Sequence, residues 1–341
     1  MHTADWDDVD RSCAWLREAA GRPDEPFMLY LGIRQPHPGF VTSRTWIERI
    51  DEADVTPPAT DESDHPALEY QRICKNWTHG TDPQTARLVR RIYYAMIAET
   101  DAMIGTVLAA LDETGLRGTT TVIVTSDHGE LALEHGQFYK MSPFEGSVRV
   151  PLIVSSPDAR RGAAVDDLVS LVDLYPTLMD LAGLEHPAGL DGHSLLPLVR
   201  GQPADRPDWV LTEFHDTSLP TGMFMLRRGD WKYIAYVGYV AQLFHLADDP
   251  DETRDLAAAR PDVVADMDRL LRGIVDYEAV DAKVKEYDRR SFRQWRAEQR
   301  AAGTYEQAMA KVFSGWDALG DDEIQPWTAA DERLIRRWLG E

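Results

Sequence analysis

The stretch from Thr119 to Pro151, TTTVIVTSDHGELALEHGQFYKMSPFEGSVRVP, constrains this chain more than any other. Thr119 to Thr125 is short, rich in β-branched residues and without helical period, which predicts a buried strand. Ser126, Asp127, His128, Gly129 and Glu130 follow without a gap. In open α/β sheets ligands sit just beyond the carboxyl ends of strands, where Asp127 and His128 fall. An Asp carboxylate and a neutral His imidazole together can hold a divalent cation. Gly129 is expected to let the backbone turn sharply. Glu134, His135 and Lys140 follow within reach of the same pocket. The plain alternative is that Asp127 caps a helix near Glu130, His128 is a loop histidine and Lys140 a solvated charge.

The run SDHGELALEHGQFYKMSPFEGSVRVPLIV resembles the second signature region of the sulfatases, in the alkaline-phosphatase-like superfamily: strand, S-D-[HN]-G, E-H-G, an aromatic, a Lys, then a V-P-L-I strand. PFMLYLGIRQPHPGF, Pro26 to Phe40, is similar to the family's strand followed by P-H-x-P, and Tyr93 to Gly105 to its long helix. SLVDLYPTLMDLAGL and DGHSLLPLV resemble its next segments. EFH at Glu213 to His215, WKYIAY and the Asp-Pro-Asp-Glu stretch resemble the arylsulfatases of glucuronate-2-sulfatase type. The resemblance implies a sulfuric-ester hydrolase, dependent on a divalent cation (Ca²⁺), acting on a sulfated carbohydrate or aryl sulfate, with a uronate 2-sulfate as the sugar type. It assigns Asp127 and His128 to the metal, Lys140 and His37 to catalysis, and His135 and His215 to substrate contact. The implied fold is α/β: an alkaline-phosphatase-like sheet sandwiched by helices, plus a small antiparallel-sheet C-terminal subdomain.

Sulfatases carry their nucleophile in a C/S-x-P-x-R motif whose Cys or Ser becomes formylglycine. The 341 residues contain no such motif. Cys13 and Arg17 have its spacing, but Trp15 stands where Pro belongs, and Val9, Cys13, Leu16 and Ala20 share a helix face. Cys74 does not match, and Asp7-Asp8 follows no strand. The expectation is a sulfatase fold lacking its nucleophile-bearing N-terminal part. Missing strands would leave apolar edges exposed, so a missing half or self-association is the expected partner. A degenerate, non-catalytic sulfatase acting as a binding or scaffold protein is the rival. A phosphodiesterase or phosphonate hydrolase of the same superfamily is a third reading.

The formal charge of −22 argues against nonspecific binding to nucleic acid or an anionic membrane. It argues only mildly against polyanionic substrates, because screening limits distant charges to about 8 Å. Two cysteines make no disulfide framework, though one bridge stays open. No apolar run approaches the ~18 residues of a membrane span and no signal peptide opens the chain, which leaves the localisation unknown and the chain cytoplasmic only as it stands.

Three parts are expected: residues 1–205 as the C-terminal part of the catalytic α/β domain, 206–277 as the antiparallel subdomain and 278–341 as a Trp-rich helical tail. Residues 5–20 read as an amphipathic helix. Phe27 to Ile33 reads as a strand leading into Arg34-Gln35-Pro36-His37-Pro38. The flanking prolines restrict His37, whose ring can protonate a departing alkoxide. Val41 to Asn76 reads as an irregular surface excursion. Thr81-Asp82-Pro83 starts a helix ending at Gly115, with Leu88, Ile92, Ala95, Met96, Glu99, Met103 and Val107 as its stripe. Val150–Ser155 and Leu168–Val172 read as strands, and Asp173–Ala182 as a helix closed by Gly183. His193 is taken as structural. Val210–Phe214, Met223–Arg227, Trp231–Val237 and Gln242–Leu246 read as antiparallel strands, with Gly229-Asp230 a hairpin turn and Pro261–Val275 a covering helix. Trp295, Trp316, Trp327 and Trp338 are expected to pin the tail by burial.

Overall fold

The computed structural model describes residues 3–60, 64–215, 218–313 and 326–341. They divide into two compact units, residues 1–271 and 272–341. In the first, α1 (Thr3–Ala19), α2 (Arg44–Ile47), α3 (Pro66–Cys74) and α4 (Pro83–Glu113) precede a two-stranded sheet of β1 (Val122–Thr125) and β2 (Leu152–Ser155). Next come α5 (Glu145–Val148), inside the β1–β2 loop, then α6 (Leu174–Leu181) and α7 (Leu196–Val199). A meander of β3 (Trp209–Phe214), β4 (Met223–Arg228), β5 (Trp231–Tyr236) and β6 (Gln242–His245) follows, and then α8 (Pro261–Ile274).

Helix α4 forms as its ends dictate. The Asp82 carboxylate accepts from the backbone N–H of Gln84 and Thr85, and Pro83 occupies the first turn, where its missing N–H costs nothing. Ala95, Met96, Glu99 and Met103 are buried. Leu88 is 52% exposed and lies outside the core its spacing suggested. Length and hydropathy alone would let α4 span a membrane, but buried Arg90 and Glu99 and its packing on α1 make it a core helix. Val9, Cys13 and Leu16 of α1 meet Met103, Ala110 and Leu111 of α4 in one apolar cluster. Burial raises the Cys13 thiol's pKa. Cys13 and Cys74 are both free thiols, so the bridge left open by the sequence does not form.

β1 and β2 pair antiparallel, Val122 opposite Ser155 and Thr125 opposite Leu152. The intervening loop has no helical crossover that could bring β2 back parallel. Phe27 to Ile33 is not a strand: it joins no ladder among the described residues. Leu31 and Ile33 pack against the α1–α4 cluster, while Met28 and Tyr30 are exposed. Leu168 to Val172 is also not a strand. A capping box between Ser170 and Asp173 turns it into a short 3₁₀ helix running into α6. The 41–76 excursion contains α3, whose Ala67 and Leu68 are fully buried.

The meander follows the sequence reading closely. Arg228 faces Trp231 across a two-residue turn in which Gly229 takes φ 57°. Met223, Met225, Ile234, Tyr236, Phe244 and Leu246 share a core with Ala67 and Leu68 of α3 and with Leu131 and Phe144 of the 126–151 loop. The Tyr233 hydroxyl donates to Asp268 of α8 at 3.0 Å, placing that helix against the sheet.

The second unit contains α9 (Tyr277–Ala302), α10 (Tyr305–Phe313) and α11 (Ala329–Leu339). Trp295, Trp327 and Trp338 pack with Phe292 and Tyr305 at centroid distances of 5.4–6.3 Å. Trp316 lies outside the described residues.

Candidate functional site

The loop after β1 is tied down almost residue by residue. The Thr125 hydroxyl donates to the Pro151 carbonyl at 2.8 Å, and that of Ser126 to the His128 carbonyl at 2.7 Å. The Gly129 N–H donates to the Ser147 carbonyl at 2.7 Å. Gly129 is required for a different reason than a turn. Its φ is not positive, but a Cβ there would lie 2.1 Å from the Gly146 carbonyl oxygen. Glycine lets two backbones meet. The Glu130 carboxylate accepts from the N–H groups of Ala132 (2.9 Å) and Tyr139 (2.6 Å). Burial raises its pKa, partly offset by these bonds and by the charges of His128 and Lys140. Burial, with Glu130 nearby, also pushes Tyr93 up to about 12.

Ala132, Leu133, His135 and Tyr139 all hold positive φ, between 46° and 76°. Left-handed backbone at non-glycine residues persists only where surroundings over-determine it. Arg90 of α4 supplies part of that: its guanidinium donates to the Ala132 carbonyl at 2.9 Å and pairs with Glu134 at 3.4 Å.

His37 approaches from the other side. The loop carrying it is held by two buried carboxylates: Asp5 accepts the Gln35 N–H at 3.1 Å, and Glu99 accepts the Gln35 side chain at 3.1 Å. Glu99 also accepts from Thr42 at 2.7 Å and from the Trp6 indole at 3.0 Å. Asp5, Arg90 and Glu99 were missed as site residues. The readable signal was a Glu and an Arg on the apolar stripe of a helix, since buried charges must be partnered.

Four of the six expected site residues come together. His37 Nε2 lies 3.3 Å from Lys140 Nζ, across 103 residues of chain. The His37 and His128 rings are 6.0 Å apart, edge to face. Asp127 Oδ2 lies 3.7 Å from His128 Nε2. The contacts select tautomers. His37 Nδ1 sits 2.6 Å from the Pro38 carbonyl and His128 Nδ1 2.8 Å from the Gly129 carbonyl. A carbonyl accepts only, so each Nδ1 carries the hydrogen. In the neutral ring each Nε2 is then the acceptor atom, that of His37 facing the Lys140 ammonium and that of His128 lying on the side of the Asp127 carboxylate.

The second arrangement suits a cation. A carboxylate oxygen and an imidazole nitrogen 3.7 Å apart can both reach one ion, and the Nδ1–H to carbonyl bond is the usual brace of a metal-bound histidine. These are two donors, and no group of three or more His, Cys, Asp or Glu is poised for a metal among the described residues.

His135 is not at this site. Its ring is 3% exposed and stacks on Phe144 at 3.8 Å and 11°, so it offers a substrate no accessible edge. Its residue type matched the expected contact, but its left-handed backbone turns the ring into the core. His215 directly follows β3, edge-on to Phe224 at 5.2 Å and 3.6 Å from Glu213. A Cβ on Gly222 would lie 2.6 Å from its ring, so glycine makes room for it.

The sulfatase family profile matches residues 8–184, and the profile described as N-sulphoglucosamine sulphohydrolase, C-terminal, matches residues 133–274. The chain is 39% identical to arylsulfatase K of Xenopus laevis and 38% to that of Homo sapiens, over 98% of its own length in each case. It spans 66% of the length of both. Its fold resembles a 2-O GAG sulfatase, TM-score 0.69 at 24% identity, over 82% of this chain and 64% of that one. It also resembles the phosphonate monoester hydrolase of Silicibacter pomeroyi, TM-score 0.66 at 25% identity, over 79% of this chain and 60% of that one.

Proposed function

Because the chain belongs to the sulfatase family, we propose that its His37–Lys140–His128–Asp127 cluster binds and helps to cleave a sulfate ester of a sugar, a uronate 2-sulfate being the preferred type. The observation that carries the reading is the 3.3 Å approach of His37 Nε2 to Lys140 Nζ beside the Asp127–His128 pair. A sulfate ester brings three charge-bearing oxygens and one bridging oxygen. The Lys140 ammonium would take a charge-bearing oxygen and stabilise its charge as an attacking water or nucleophile bonds to sulfur and the bridging S–O bond breaks. Once its Nε2 has taken up a proton from solvent, the His37 imidazolium would give that proton to the departing alkoxide. Asp127 and His128 would hold a divalent cation, calcium in the family expectation, which when bound adds positive charge beside the sulfate oxygens. His215 is retained as a substrate contact at the end of β3.

The family's nucleophile motif does not occur in these 341 residues, so binding is tested apart from turnover. Calorimetric titration with 4-nitrocatechol sulfate in calcium buffer should give binding that weakens at least tenfold in Lys140→Ala and in His37→Ala. Equal binding by both variants and the unaltered chain would refute the reading. Likeness to a phosphonate monoester hydrolase favours one alternative, a phosphonate ester at the same groups. Tighter binding of phenyl phosphonate than of phenyl sulfate would select it.

A further inference from the structure

We propose that the helical unit, residues 272–341, carries a second anion site: a pocket of about 390 Å³ between α9 and α11 that takes a sulfated or carboxylated saccharide. Arg289 and Arg293 line it from α9, Arg337 and Trp338 from α11, with Glu286 also in the wall. Glu286, Arg289 and Arg293 recur at spacings of three and four, which puts them on one helix face.

Two of the guanidiniums are fixed in place. Arg289 Nε donates to the Trp338 carbonyl at 3.1 Å, and Arg293 donates to the Leu339 carbonyl. These bonds satisfy carbonyls that the end of α11 would otherwise leave bare. Each uses one of the five N–H groups a guanidinium carries, so most of the donors stay free for a ligand. Holding both heads still lowers the ordering cost of binding.

The three arginines also lack what their neighbours have. Arg296, Arg300 and Arg336 all converge on Glu332. Arg289, Arg293 and Arg337 have no carboxylate within ion-pair distance among the described residues, although Glu341 lies near enough to feel Arg293. Three cations against Glu286 in the wall and Glu341 at its margin, which already pairs with Arg296, leave the pocket positive. This stands out in an acidic protein, and the unit itself is almost balanced, with 12 Lys and Arg against 14 Asp and Glu. Most of the net −22 belongs to the other unit.

Trp338 adds an apolar face to the pocket. Its ring is 43% exposed and braced edge to face by Phe292 at 5.5 Å. A rigid aromatic wall beside guanidinium forks matches a ligand with an apolar ring face and oxyanions at its edge. The volume is at the lower end of small-ligand sites, sufficient for one or two sugar rings. The choice of a saccharide rests on the sulfate-ester reading above; the positive pocket does not.

The test is calorimetric titration of the full chain with a trisulfated heparin disaccharide at 50 and 150 mM salt. Arg337→Glu is the primary variant, because Arg337 makes no side-chain bond among the described residues whose loss would unfold α11. Far-UV circular dichroism checks its fold. The proposal expects binding by the unaltered chain that weakens with salt, falls at least tenfold in Arg337→Glu and Trp338→Ala, and persists in Lys140→Ala. No binding by the unaltered chain, or equal binding by Arg337→Glu, overturns it. Loss in Lys140→Ala with Arg337→Glu unaffected also overturns it, and leaves the catalytic reading standing.

Discussion

Lys232 is fully buried on β5, and replacing it with Met should cost about 3–5 kcal/mol, the usual penalty for removing one partner of a buried ion pair. Its ammonium lies 2.7 Å from the Glu252 carboxylate and 3.0 Å from that of Glu145. Glu252 is itself almost fully buried and accepts the Glu145 N–H at 2.5 Å. Met matches the Lys stem in volume, so the loss is electrostatic rather than a cavity. What remains is the buried Glu252 carboxylate beside that of Glu145, which keeps Arg227 as a partner while Glu252 loses its cation. Burial already raises the pKa of Glu252 above 4.5, and Lys232 is the main influence holding it down. Without Lys232 it rises further. A carboxylate whose folded pKa is raised contributes stability at low pH that is lost as pH climbs through the folded value. The Lys232→Met penalty should therefore be smaller at pH 5 than at pH 8. Adding Glu252→Gln removes the stranded charge and should bring the double variant back to within about 1–2 kcal/mol of the unaltered chain. Urea unfolding measures all three, and the single variant should shift the midpoint by roughly 1–2 M or more. A Lys232→Met loss below about 1 kcal/mol, or a double variant worse than the single, would refute the reasoning. The consequence reaches the candidate site, because Glu145 opens α5 and α5 holds Gly146 and Ser147 against Gly129.

Three further outcomes can be measured. The purified 341 residues should not turn over 4-nitrophenyl sulfate; metal-dependent turnover that disappears in Lys140→Ala would force a new search for the nucleophile. Gly129→Ala should lower thermal stability by about 1–3 kcal/mol or more, since its Cβ would meet the Gly146 carbonyl at 2.1 Å, and an unchanged melting temperature would sink the argument. Burial lowers the pKa of His65 below 6.5, and its unprotonated Nδ1 accepts the Ala67 N–H at the start of α3. The unfolded chain thus takes up a proton first, so stability present above pH 6.5 falls as pH drops through the window below it. His65→Asn keeps an acceptor without the titration, and its stability should fall less than the unaltered chain's between pH 7.5 and 5.5. Equal slopes would show that another group carries the effect.

The local features were the legible ones. Asp82-Pro83 and Gly115 bracket α4 because caps act on their own backbone, and Gly229-Asp230 marks the β4–β5 turn because two residues decide a hairpin. The candidate site was legible only through resemblance. Nothing in the spacing of His37 and Lys140, 103 residues apart, says they meet at 3.3 Å. His135 shows the opposite failure: a polar residue in the right motif is carried into the core by φ 54°, a backbone state its own side chain does not favour.

Phe27 to Ile33 shows why strand readings are the weaker kind. The continuous apolar run is not buried evenly: Leu31 and Ile33 pack inward, while Met28 and Tyr30 are 70% and 85% exposed. An apolar run can state a preference for extended backbone and for one buried face. A ladder also needs a neighbour with free N–H and C=O groups in register, and that neighbour is written elsewhere. The same dependence explains β1 and β2. Each has the β-branched composition of a buried strand, yet Ile153 of β2 is 61% exposed, because one antiparallel partner covers an edge and not a face. Periodicity therefore identifies which residues want burial, and only the surrounding chain determines whether they obtain it.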